Sequence, residues 1–288
     1  MDGPHTSMEP LAGGFSGETF LATAGDEQTV VRIYGAGLRH RGPEAPEVDA
    51  AVLHLVRGLI PVPEVLEVRR GDPDSGVPGL LVTSLMPGER LESVLPHLDE
   101  SELGAVGAEL GILLGRLSHI AMPFTGTFAD ASLRIEPFTV TLPEWLTQHE
   151  LGIPGLGRVV EEADGLEEPA GRTCLVHSDF NPKNVLVDPD TLAVTALLDW
   201  EFAHAGNRFA DLGNLLRFEE SPVLVRSVLA AYRSFVPDAP EDLVARARGA
   251  DLWALMELAS RAGENPVADR ALARLQELAA PYARAGRV

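Results

Sequence analysis

Four polar side chains lie between short apolar runs at the spacing that phosphoryl transfer needs. His177, Asp179 and Asn184 form an H-x-D-x-x-x-x-N pattern, and Asp199 follows the apolar run 194–198. An aspartate can accept the proton of a hydroxyl nucleophile, so Asp179 is the candidate catalytic base. Amide and carboxylate oxygens are ligands that Mg²⁺ prefers, so Asn184 and Asp199 are the candidate metal ligands. The pattern predicts a phosphoryl-transfer site.

Short β-type runs flank these residues and would hold the side chains on rigid backbone. The predicted strands cover 173–176, 185–187 and 194–198. The last two are separated by the Asp-Pro-Asp-Thr segment 188–191, which indicates a hairpin turn. The residues with chemistry therefore lie at strand ends.

The pattern of elements changes once along the chain. Before Met86-Pro87-Gly88 it predicts strands at 29–34, 65–68 and 80–85, a helix at 43–58 and a glycine-rich turn at 13–17. After it, helices dominate, beginning at 99–120 with Asp99 or Ser101 as the cap. We expect an α+β chain with a β-rich N-terminal lobe at 1–86 and a helical C-terminal lobe at 87–288.

The formal charge of −20 and the pI near 4.7 bear on partners. Nucleic acid and anionic membranes would be repelled, so neither is an expected partner. A cationic small molecule would be attracted if the acids cluster near the active cleft. The alternative is that the acidity serves solubility or reflects a salt-tolerant or high-GC source. No pattern indicates an oligomeric state.

A cytoplasmic location is expected. The segment 1–10 is polar and precedes no apolar run, so it does not resemble a signal peptide. No apolar stretch reaches the eighteen or so residues of a membrane span. The single Cys174 fits a reducing compartment and is expected to be a buried strand residue.

On these residues, the chain resembles the aminoglycoside phosphotransferase family of antibiotic and metabolite kinases. The resemblance covers nearly the whole chain and is strongest at 177–184 and 199–211. It implies a bilobal, protein-kinase-like fold that uses ATP (or GTP) with Mg²⁺. It also implies that Asp179 is the base, that Asn184 and Asp199 bind two magnesium ions, that His177 braces the catalytic loop and that Asp211 anchors the loop backbone.

The resemblance also implies residues that bind the nucleotide. Arg32 occupies the strand position where the family has a lysine that grips phosphate, and Asp49 is its expected acidic partner, with Glu47 as the other candidate. Arginine can bind phosphate with two nitrogens, so the exchange is compatible with activity. The alternative for Arg32 is a surface arginine on an edge strand. Ser84 and Met86 are expected to read the purine through their backbone, unless 82–88 is a plain buried strand.

Two further elements are ambiguous. Gly14 and Ser16 belong to a glycine-rich turn that would cover the phosphates, or would form a hairpin turn without a ligand. Lys183 would either reach the transferred phosphate or be solvated.

For the acceptor, the resemblance implies a cationic antibiotic, either an aminoglycoside or a basic peptide of the viomycin and capreomycin type, and therefore resistance. The alternatives are a macrolide, choline, homoserine or fructosamine kinase. A nucleotide-binding pseudokinase is the alternative from another class, and Arg32 and Asp49 are the features in its favour.

Overall fold

The computed structural model describes residues 6–11, 18–35, 42–72, 74–149, 151–166 and 172–285. The N-terminal part forms an antiparallel sheet of five strands in the spatial order β1-β2-β3-β5-β4. The three strands predicted here are confirmed, whereas β1 is an exposed edge strand whose residues carry no alternating pattern. The strands are β1 Thr6–Pro10, β2 Glu18–Ala24, β3 Glu27–Tyr34, β4 Val65–Arg69 and β5 Gly79–Ser84.

Helix α1 (Ala45–Val56) connects β3 to β4 and contacts β4 and β5. Val48, Val52 and Val56 repeat every four residues and are fully buried, so one face of the helix packs into the core. Gly58 follows the helix with a φ of +83°, a backbone conformation that favours glycine. The helix predicted at 43–58 is confirmed.

The C-terminal part is mainly helical. Asp99 caps α3, because its carboxylate accepts from the Glu102 N–H (2.9 Å) and the Glu102 carboxylate accepts from the Asp99 N–H (2.8 Å). Across the described ranges, no helix is long and apolar enough to cross a membrane. The helices are α2 Leu91–Val94, α3 Glu100–Leu117, α4 Leu142–His149, α5 Leu156–Leu166, α6 Ala210–Leu216, α7 Pro222–Phe235, α8 Leu243–Ala259 and α9 Pro266–Ala285.

Short strands form two further sheets among these helices, in the orders β11-β10-β6 and β8-β7-β12-β9. The strands are β6 Glu89–Arg90, β7 Gly126–Phe128, β8 Ile135–Pro137, β9 Thr173–Val176, β10 Val185–Val187, β11 Val194–Leu197 and β12 His204–Asn207. The predicted strands β9, β10 and β11 are confirmed, as is the antiparallel hairpin of β10 with β11. Strands β7, β8 and β12 were not predicted, since glycine, proline and polar residues interrupt them, whereas β9, β10 and β11 are mainly apolar.

The main hydrophobic core runs through both parts of the chain. It joins Val52 of α1 and Leu81 of β5 with Leu110 of α3 and Val185 of β10. A second, smaller core lies among α4, α5, α8 and α9 around Trp145 and Met256. The α+β class and the protein-kinase-like outline are confirmed, and the lobe boundary near residue 86 stays a prediction.

Cys174 provides a simple chemical test of the packing of β9. Its thiol is fully buried and donates to the Ser118 carbonyl oxygen at 2.8 Å, and burial raises its pKa to about 11. Because the thiolate is the reactive form, we expect no reaction of the folded protein with Ellman's reagent at pH 8. One thiol should react after unfolding in guanidinium. Rapid modification without denaturant would contradict the burial of β9.

Candidate active site

The turn after β9 carries the candidate catalytic residues and is hydrogen-bonded to the first turn of α6. The Asp211 carboxylate, in the first turn of α6, accepts from the N–H groups of His177 and Ser178, both at 2.8 Å. Burial raises the pKa of Asp211, while His177 and the two N–H donors act in the opposite direction. These bonds hold Ser178 at a φ of +70°, a conformation that costs energy for a residue with a side chain. The loop backbone is therefore set by a buried carboxylate.

His177 connects this loop to the segment that carries Asp199. Its Nδ1 accepts from the Asp179 N–H at 3.2 Å, and its Nε2 lies 2.8 Å from the Leu198 carbonyl oxygen. A carbonyl only accepts, so Nε2 donates in this contact. The ring also packs edge-on against Trp200, with centroids 4.6 Å apart. His177 thus ties the candidate base to the candidate metal ligand.

The Asp179 carboxylate is held by three donors. Asn181 Nδ2 donates to Oδ1 at 2.6 Å, and Asn184 Nδ2 donates to Oδ2 at 2.7 Å. The ammonium of Lys183 lies 3.0 Å from the same Oδ2. These donors match an ionised carboxylate, which only accepts hydrogen bonds. The side chain keeps 19% of its surface exposed, so an acceptor hydroxyl could approach it.

Asn184 and Asp199 line one cavity and have the donor chemistry that Mg²⁺ requires. The Asn184 amide nitrogen donates to both the backbone and the carboxylate of Asp179, so the amide Oδ1 is the atom left for a metal. The Leu198 N–H donates to the Asn184 carbonyl oxygen at 2.8 Å, which brings the two candidates together. Asp199 has a φ of +64° and a 26% exposed carboxylate. The residues present therefore fit a magnesium ion.

The protein can supply only part of the coordination shell. Among the residues that the structure describes, no three His, Cys, Asp or Glu side chains cluster so as to hold a metal. Mg²⁺ commonly uses one or two protein ligands and completes its shell with phosphate oxygens and water. Asn184 and Asp199 would supply the protein oxygens, and the ion, when bound, would neutralise charge on a nucleotide's phosphates.

The cavity has a volume of about 550 Å³ and extends from Asn184 to the segment after β5. That volume is typical of sites for small molecules and cofactors. Apolar side chains cover its walls, among them Val30, Leu81 and Leu186, and Ser84 and Met86 lie at its far end. The walls suit a planar, largely apolar ring such as a purine.

Ser84 and Met86, the two residues expected to contact the purine, differ in the backbone groups that they have free. Ser84 is already engaged, since its N–H donates to the Glu64 carbonyl and its hydroxyl accepts from the Glu64 N–H, both at 2.9 Å. The Met86 N–H makes no hydrogen bond within the described ranges. Met86 is therefore the candidate backbone donor for a purine, and both assignments stay predictions.

Arg32 lies within the sheet and makes two ion pairs. Its Nη1 lies 2.9 Å from Asp199 Oδ1, and its Nη2 bonds the Glu201 carboxylate. Its side chain is 16% exposed and β3 is an interior strand, so the alternative of a surface arginine on an edge strand is wrong. Burial acts to lower the pKa of Arg32, but the Tyr34 hydroxyl and the nearby carboxylates raise it above its ordinary value.

The expected partner Asp49 contacts Tyr34. Its buried carboxylate accepts from the Tyr34 hydroxyl at 2.7 Å. Asp49 lines the cavity together with Arg32, and the pairing of the two stays a prediction. The contact of Arg32 with Glu201 was not predicted. The position of Glu201 two residues after Asp199 was the available signal. Gly14 and Ser16 lie outside the described residues.

Known proteins are similar to this chain over most of its length. The sequence profile of the phosphotransferase enzyme family (APH) matches residues 7–247. An aminoglycoside 3'-phosphotransferase from Streptomyces fradiae is 27% identical over 231 residues, 76% of this chain and 84% of that protein. The mouse protein acyl-CoA dehydrogenase family member 10 is 26% identical over 206 residues, 69% of this chain. The match spans only 19% of that mouse protein.

Solved structures show the same fold. A putative aminoglycoside phosphotransferase from Ralstonia eutropha superposes with a TM-score of 0.70 at 18% identity, covering 99% of this chain and 94% of that one. A thermostable mutant of the aminoglycoside phosphotransferase APH(4)-Ia, solved with ADP and hygromycin B, gives 0.66 at 20% identity and covers 98% and 95%. The expected fold and class of enzyme are confirmed, and the chain belongs to the phosphotransferase enzyme family.

Proposed function

We propose that this protein transfers the γ-phosphoryl group of ATP (or GTP) to a hydroxyl of a small molecule. The observation that carries the proposal is that Asn184 and Asp199 line one cavity of purine-nucleotide size, while Asp179 is hydrogen-bonded to Asn184 beside it. The far end of the cavity has a backbone donor at Met86. The base, the metal ligands and the nucleotide cavity are the parts that phosphoryl transfer requires.

In the proposed reaction, the acceptor hydroxyl approaches the exposed side of the Asp179 carboxylate. Asp179 takes the hydroxyl proton as the oxygen attacks the γ-phosphorus, and the bond to the β-phosphate bridging oxygen breaks. The products are a phosphate ester and ADP. Asn181, Asn184 and Lys183 orient the carboxylate, while Arg32 faces the nucleotide phosphates.

The proposed acceptor is a cationic antibiotic, an aminoglycoside or a basic peptide of the viomycin and capreomycin type. The net charge of −20 supports it, since such a surface attracts polycations. The activity named for the Streptomyces fradiae relative supports it as well. Phosphorylation would add negative charge to the antibiotic and confer resistance.

A second candidate is binding of the nucleotide without turnover. The observation that favours it is the ion pair of Arg32 with Asp199, which joins the phosphate-binding candidate to a metal ligand. The arrangement of Asp179 favours turnover instead.

One experiment separates these functions. Release of ADP from ATP, or of GDP from GTP, is measured with Mg²⁺ and a panel that contains aminoglycosides, viomycin, capreomycin, a macrolide, choline, homoserine and a fructosamine. Mass analysis of the product should show the addition of one phosphoryl group to a cationic antibiotic. Phosphorylation of a neutral macrolide alone would overturn the acceptor class. Tight ATP binding without a phosphorylated product would favour the second candidate.

A further inference from the structure

We propose that Glu201 is the positioning residue for Arg32, holding the guanidinium toward the nucleotide phosphates once Asp199 binds metal. The inference deepens the proposed function and rests on it. It assigns a role to the second acid of the Asp199-Trp200-Glu201 segment, in addition to the candidate metal ligand.

Each terminal nitrogen of the Arg32 guanidinium contacts a different acid. Nη1 points to Asp199, and Nη2 points to Glu201. The Glu201 side chain is 12% exposed and that of Asp199 is 26% exposed, so Glu201 is the more buried of the two. Hydrogen bonds between ionised groups are the strong ones, and they strengthen as water is excluded.

The two acids would have different tasks in the loaded enzyme. Asp199 has the oxygen that fits a magnesium ion, and a carboxylate that binds a divalent cation attracts the guanidinium less strongly. Binding of the metal would therefore weaken the ion pair between Arg32 and Asp199. The arm on Glu201 would persist, because Asn184 and Asp199 line the cavity, whereas Glu201 does not.

An arginine at this position can contact two acids at once. A lysine ammonium is one point of charge, whereas the arginine fork has two arms with fixed directions. The Nη1 arm contacts Asp199, and the Nη2 arm contacts Glu201, which comes from beyond β11.

The test measures nucleotide binding, so it does not depend on the acceptor. The dissociation constant of ATP is measured by calorimetry, with and without Mg²⁺, for the unaltered protein, Glu201→Gln, Arg32→Ala and the double variant. We expect Glu201→Gln to weaken binding of Mg-ATP by about 10- to 100-fold, the size of one hydrogen bond between charged groups. In the Glu201→Gln background, Arg32→Ala should have little further effect.

Two variants serve as controls. Glu27→Gln removes the same charge from an exposed position at the start of β3 and should leave the affinity unchanged. Glu201→Asp keeps the carboxylate and should recover part of the affinity, which a purely structural role of the glutamate would not produce. Thermal unfolding of each variant shows whether it folds. If Glu201→Gln does not fold, the affinity of Glu201→Asp is used for the test instead.

The outcomes separate the inference from the proposed function. Unchanged affinity in Glu201→Gln, or losses that add in the double variant, would overturn the role of Glu201 and leave the proposed function standing. An unaltered protein that binds no nucleotide would overturn both. Non-additive losses together with rescue by aspartate would support the inference.

Discussion

Replacing Asp179 with alanine is expected to lower kcat by roughly 10²- to 10⁴-fold, the usual contribution of a positioned general base. The hydroxyl proton then has no acceptor, because the other groups around the carboxylate are donors from Asn181, Lys183 and Asn184. Affinity for ATP should change little, since Asp179 is not among the residues that line the cavity. Steady-state ADP release, with calorimetric titration of ATP, measures both.

The matched control is Asp190→Ala. Asp190 is exposed in the turn between β10 and β11, and only its backbone N–H is hydrogen-bonded, to the Asp188 carboxylate. This variant should retain full turnover. If Asp179→Ala keeps more than about a tenth of the kcat while remaining folded, the base assignment is wrong and proton transfer follows another route.

Replacing Asp199 with asparagine should remove most of the Mg²⁺-dependent affinity for ATP and lower kcat/KM by roughly 10²- to 10⁴-fold. A divalent cation contributes several kcal/mol to charge stabilisation in phosphoryl transfer, and each 1.4 kcal/mol corresponds to about tenfold. Asparagine has nearly the same shape and tolerates the left-handed conformation at this position, where φ is +64°. The change therefore removes charge with little change in backbone.

The diagnostic measurement is the ratio of ATP dissociation constants with and without Mg²⁺. In the unaltered protein the ratio should be large, and in Asp199→Asn it should approach one. Asp188→Asn is the control, because Asp188 caps the exposed turn after β10 through bonds from Thr191 and lies outside the cavity. A ratio unaffected by Asp199→Asn would show that the metal, if used, binds elsewhere.

The candidate catalytic residues could be predicted because their geometry is largely local. Asp179 and Asn184 are five residues apart and bond each other, and Asp199 follows a strand that pairs with the strand after Asn184. Once β10 and β11 form a hairpin, spacing along the chain determines the relative positions of these three residues. The buried strands and α1 were also recognisable, since burial imposes a repeat of apolar residues.

Contacts between distant segments could not be read in the same way. Arg32 and Glu201 are 169 positions apart, and which acid meets the guanidinium depends on how α1 and β11 pack. Asp49 was chosen by spacing, and its carboxylate accepts from Tyr34, on the same strand as Arg32; its pairing with Arg32 stays a prediction. Strand β12 forms because β7 and β9 offer unpaired edges, which its four residues do not reveal.

The continuous core has a consequence for dissecting this protein. Leu81 and Val52 share one apolar cluster with Leu110 and Val185. Cleavage of the chain after Met86 would therefore expose hydrophobic surface on both fragments. Neither fragment should remain soluble by itself, and heating should melt the chain in a single cooperative step. We therefore expect any opening that admits a nucleotide to keep this shared cluster packed.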